Sequence, residues 1–126
     1  MTTPPERTRA LRWAGELMAL LCEHPLLSND ERSTVGKLLK DYPAPHQIRA
    51  WMEEDVELVP AECAKCIEEA GDFLRDLDRR CPDELKRFLL FALRHYPLRG
   101  QAIHWSDRRR FGSVAEWLLP EDFYDR

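Results

Sequence analysis

Apolar residues along this chain return every three or four positions, which is the period of helices that bury one face. Ala10, Trp13, Ala14, Leu17, Leu20 and Leu21 fall on one such face, and Arg7, Arg9, Arg12 and Glu16 lie mostly opposite. Thr3 and Glu6 form a capping box ahead of this helix, and His24-Pro25 ends it, because a residue before proline is pushed out of the helical region. A second box, Ser28 with Glu31, opens a helix predicted to bury Val35, Leu38, Leu39 and Tyr42 before Pro43 stops it. A short third helix starts near Pro45 and carries Ile48, Trp51 and Met52. After an acidic linker, Pro60 and Glu62 begin a fourth helix with Cys63, Cys66, Ile67, Ala70, Phe73, Leu74 and Leu77 as its stripe. Pro82 sits in the first turn of a fifth, with Leu85, Phe88, Leu89, Ala92, Leu93 and Tyr96 predicted inward and Pro97 as its stop.

The two halves match in more than period. Pro4 aligns with Pro60, Glu6 with Glu62, Ala14-Gly15 with Ala70-Gly71 and Leu17 with Phe73. A shorter helix–helix turn in the second half then brings Val35 onto Leu89, Leu39 onto Leu93 and Tyr42-Pro43 onto Tyr96-Pro97. Gln47 follows onto Gln101 and Trp51 onto Trp105. A glycine inside a helix costs about 1 kcal/mol against alanine, so the paired glycines predict close approach of the two long helices. The expectation is one all-α domain over 1–126, a small bundle of two pseudo-repeated helical hairpins plus short helices. The repeats span about 4–51 and 60–105, and 106–126 is a C-terminal extension. In that extension Ser113 and Glu116 make another capping box, before Val114, Trp117 and Leu118.

Composition narrows the function classes. A net charge of −4 gives the surface as a whole no attraction for nucleic acid or an anionic membrane. No apolar run approaches the roughly 18–20 residues that span a bilayer. Four cysteines without an export signal read as reduced thiols, and the expected compartment is the cytoplasm. No cofactor is implied, and the oligomeric state is left open.

Candidate chemistry is sparse. Cys63 and Cys66 have the spacing of a metal or redox pair, with Cys22, His24 or Cys81 as the available further ligands. They also fall in the middle of an amphipathic stripe, where cysteine behaves as a small hydrophobe. Of the four histidines, His95 is placed to cap the last turn of the fifth helix, where a cation suits the helix dipole. Asp30-Glu31 and Glu53-Glu54-Asp55 read as solvated helix ends. The partner-binding candidates lie in and beside the extension: Trp105, Arg108, Arg109, Arg110, Phe111, Trp117, Phe123 and Tyr124. They mix the residue types that anchor interfaces.

The opening Met1-Thr2-Thr3-Pro4-Pro5-Glu6-Arg7-Thr8-Arg9-Ala10, with the helix ends Leu38 to Pro43 and Arg94-His95-Tyr96-Pro97, resembles a family of short proteobacterial proteins. Those begin with Thr-x-Pro-x-Glu-Arg-Thr-Arg and end their second helix in Arg-His-Tyr-Pro. The resemblance implies a bacterial, cytoplasmic helical hairpin, without an activity or site residues. The function expected is a non-enzymatic module working by protein–protein contact, with a role as immunity, antitoxin or anti-defence inhibitor by analogy and a basic partner to match. The alternatives are a nucleic-acid-binding or regulatory module using the Arg108–Arg110 turn, and a zinc-binding helical protein built on Cys63 and Cys66.

Overall fold

The computed structural model describes residues 4–25, 27–53, 59–80, 83–100 and 102. Among them are five helices: α1 (Pro4–Leu21), α2 (Asn29–Asp41), α3 (Pro45–Glu53), α4 (Ala61–Arg80) and α5 (Asp83–Leu93). The start of α2 follows the predicted chemistry. The Ser28 hydroxyl accepts from the Glu31 N–H at 3.1 Å, and the Glu31 carboxylate accepts from the Ser28 N–H at 2.8 Å. The Ala44 N–H donates to the Gln47 side-chain carbonyl at 2.8 Å, which holds the first turn of α3. No helix among the described residues is long and apolar enough to cross a membrane.

α1 packs on α2, α3 and α5, α2 also on α4, and α4 on α5. The four long helices therefore close a ring in the order α1–α2–α4–α5, with α1 diagonal to α4 and α2 diagonal to α5. Leu11, Met18, Leu21, Val35, Val59, Ile67, Leu74 and Leu89 are sealed inside, each contributing about 1.5–3 kcal/mol of burial. Ile48 and Trp51 of α3 are buried as well. The α1 stripe differs from the predicted one. Leu11 and Met18, outside that stripe, are fully buried, whereas Leu20, inside it, is 68% exposed. Phe88, likewise predicted inward, is 55% exposed. Both helices carry apolar residues on more than one side, and a period alone cannot say which side faces the core.

The tyrosines that end α2 and α5 lock each hairpin in the same way. The Tyr42 hydroxyl donates to the carbonyl of Leu11 at 2.6 Å, and the Tyr96 hydroxyl donates to the carbonyl of Ile67 at 2.7 Å. Each ring lies against the glycine one turn further along. A Cβ built on Gly15 would sit 3.0 Å from Tyr42 Cε1, and one on Gly71 would sit 2.8 Å from Tyr96 Cε1. The glycines thus admit a tyrosine from the following helix. They do not bring the two long helices together, since α1 and α4 stand on the diagonal. Burial pushes both phenols up from their ordinary values.

The halves diverge after the tyrosines. The first continues into α3. The second is pinned by Glu68, whose carboxylate accepts from the Gly100 N–H at 3.0 Å and the Ala102 N–H at 2.8 Å. Gly100 adopts φ +85, a left-handed conformation suited to glycine. The overlays of Gln101 on Gln47 and Trp105 on Trp51 lie outside the described residues.

Candidate functional site

The register that aligns Gly15 with Gly71 and Tyr42 with Tyr96 also aligns two seams of the ring. α1 meets α5 along one, and α4 meets α2 along the other. Each seam opens outward as a groove. The α1/α5 groove, about 440 Å³, is lined by Trp13, Glu16, Leu17, Leu20, Phe88 and Phe91. The α2/α4 groove, about 380 Å³, is lined by Thr34, Lys37, Leu38, Asp41, Glu62, Lys65, Cys66 and Glu69. At three aligned positions the first groove has Trp13, Phe88 and Phe91 where the second has Glu69, Thr34 and Lys37. A fourth aligned pair sets Leu20 against Asp76.

In the α1/α5 groove the helices run antiparallel. At one end His95 Nε2 lies 2.8 Å from Glu6 Oε2, joining the end of α5 to the first turn of α1. His95 thus pairs with a carboxylate of another helix, in place of the predicted cap on its own. In the middle the Trp13 and Phe91 rings meet edge to face, with centroids 6.3 Å apart. The Arg9 guanidinium lies 5.6 Å from the centre of the Trp13 ring, and Arg12 pairs with Glu16 at 3.8 Å. At the far end Leu20 and Phe88 stand open to solvent, and Phe91 is 51% exposed. Large apolar side chains gathered in one concave strip, bordered by charge, are the kind of surface that marks interaction sites.

The α2/α4 groove is polar at its rim and holds the cysteines at its base. Cys66 is buried, and its thiol donates to the Leu38 carbonyl at 3.0 Å. Burial, with Asp41 and Glu69 nearby, pushes that thiol up to about 12. Cys63 is half-buried against the core, and burial followed by Asp41 and Glu62 raises it too. Thiols raised in this way favour the protonated form and make poor nucleophiles. Among the described residues, no three His, Cys, Asp or Glu side chains are grouped to hold a metal ion. Glu31, read from sequence as a solvated helix end, is instead tucked between the α2 cap and Arg80 of α4. Its carboxyl is held below the usual range, first by the Ser28 N–H and then, against desolvation, by Arg80.

The partner-binding candidates Trp105, Arg108, Arg109, Arg110, Phe111, Trp117, Phe123 and Tyr124 lie outside the described residues. Sequence reasoning does not single out Leu20, Phe88 and Phe91 as a surface. The signal is present in the two copies compared position by position, because Thr34 and Lys37 stand in α2 where Phe88 and Phe91 stand in α5. No protein-family model matches the chain, and no curated protein or solved structure matches it either.

Proposed function

We propose that this chain is a protein–protein interaction module whose contact surface is the α1/α5 groove. The observation that carries this is the contrast between the aligned seams. The α2/α4 seam closes the same kind of helix pair with Glu69, Thr34 and Lys37 on its outside, so such a seam can close without Phe88 and Phe91. Leaving Leu20, Phe88 and Phe91 more than half exposed costs solubility and gains the core little. A groove between two antiparallel helices suits the apolar face of a further helix, whose side chains enter at successive turns. The expected occupant is therefore a helix of a polypeptide, with Trp13, Phe88 and Phe91 as the anchoring aromatics.

Photo-cross-linking in the native host tests this. With p-benzoylphenylalanine in place of Phe88, adducts should form with a polypeptide and disappear when Leu20→Lys is added. The reading fails if position 88 gives no more polypeptide adduct than the same probe at the exposed Leu98.

A further inference from the structure

Resting on that interaction surface, we infer that the occupant of the α1/α5 groove is a second copy of this chain, related to the first by a two-fold axis across the groove. A two-fold interface needs a patch complementary to itself, because each residue meets its counterpart's neighbour. This groove meets that requirement in shape, since one strip carries both the projecting Leu20, Phe88 and Phe91 and the recess between them.

It meets the requirement in charge as well. The Trp13 end is flanked by Arg9, over the indole ring, and by Arg12. Glu16, which pairs with Arg12 of its own chain at 3.8 Å, lies between Trp13 and Leu20, and Glu84 stands exposed one turn ahead of Phe88 at the Leu20 end. A two-fold axis across the groove reverses its direction in the second copy. Arg9 and Arg12 of one copy then border Glu16 and Glu84 of the other, twice over. A parallel arrangement would set like against like. Complementary charge at an interface fixes register and speeds association. The aligned α2/α4 seam, with Glu69, Thr34 and Lys37, offers no second apolar strip. Because a two-fold interface uses the same patch on both copies, the pairing closes at two and does not propagate into a filament.

Sedimentation equilibrium on the full chain tests the inference, with circular dichroism confirming that each variant stays helical. The native chain should sediment at twice the monomer mass in the high micromolar range. Phe91→Lys should weaken the dimer by roughly tenfold or more, as for a buried anchor. Arg12→Glu and Glu16→Arg should each weaken it alone. An equal mixture of the two variants should re-form it, since the introduced carboxylate of one variant and the introduced guanidinium of the other then meet across the axis. A folded native chain that stays monomeric overturns the inference, and so does a dimer indifferent to Phe91→Lys. If the chain is monomeric and cross-links from position 88 to a different protein, the second copy is wrong but the interaction surface stands. If position 88 cross-links to nothing, both are wrong.

Discussion

The α1/α5 and α2/α4 seams are built from aligned residues of the two halves, yet one is apolar outside and the other charged. Inside, they agree: Val35 and Leu89 are both fully buried, and Tyr42 and Tyr96 bond aligned carbonyls across aligned glycines. Outside, Glu69, Thr34 and Lys37 stand where the other seam has Trp13, Phe88 and Phe91. What the halves share is what folding requires of a helical hairpin here. What they do not share is open to another use, and the difference separates core from surface without any homologue for comparison.

The shared part should give the largest effects. Tyr42→Ala and Tyr96→Ala remove a buried ring together with its hydrogen bond, and each should cost about 3–5 kcal/mol in chemical denaturation. A large loss at one tyrosine and almost none at the other would break the equivalence of the two hairpins. The glycines sharpen it further. Alanine normally gains about 1 kcal/mol over glycine in a helix, but the added Cβ must displace a tyrosine ring. Gly71→Ala should therefore be a net loss of about 1–3 kcal/mol, as for other overpacked sites. Gly15→Ala should cost less, because its Cβ has 3.0 Å to the ring where that of Gly71 has 2.8 Å.

Smaller is the contribution of Glu31, which the second half lacks because Leu85 stands at the aligned position. Glu31→Gln keeps an oxygen for the Ser28 N–H but removes the charge that faces it and Arg80. It should cost about 0.5–2 kcal/mol at neutral pH, the range for a partly buried charge at a helix start. Since the folded carboxyl is held below its ordinary value, its contribution is present above the unfolded carboxylate range and is lost as the pH falls through the folded value. The gap between native chain and variant should therefore close on acidification, which denaturation at a series of acidic pH values can follow. A gap that widens would show that the charge is not what Arg80 and the cap hold. Smallest of all is Phe88→Thr with Phe91→Lys, which copies the α2 residues into α5 and should cost the monomer no more than about 1 kcal/mol, the scale of the Trp13–Phe91 edge contact that is lost.

Much of the architecture is legible in the sequence because its signals are local. Ser28 with Glu31 and Pro43 set the ends of α2, and the Tyr-Pro pairs mark the hairpin ends. The glycines stand out as sites of close approach, but not what approaches them. That contact joins residues distant along the chain, Tyr42 with Gly15 and Tyr96 with Gly71, and no period encodes it. The exposed aromatics escape the sequence for a related reason. Phe88 shares a helical face with Leu85, Leu89 and Ala92 closely enough to extend the buried stripe, and only the position of α1 decides that it stays outside. Leu20 is misplaced in the same way. His95 reads as a cap on its own helix because Glu6, its partner, lies in the first turn of α1, far away along the chain.

Whether the apolar seam serves binding and not folding is tested most directly by the protein-concentration dependence of unfolding, which an associating chain must show. The denaturation midpoint of the native chain should rise with protein concentration. That of the Phe88→Thr, Phe91→Lys variant should stay constant, at or slightly below the value the native chain reaches on dilution, the small drop being the lost Trp13–Phe91 contact. A variant that unfolds well below the dilute native chain would make those aromatics part of the core and contradict the central claim.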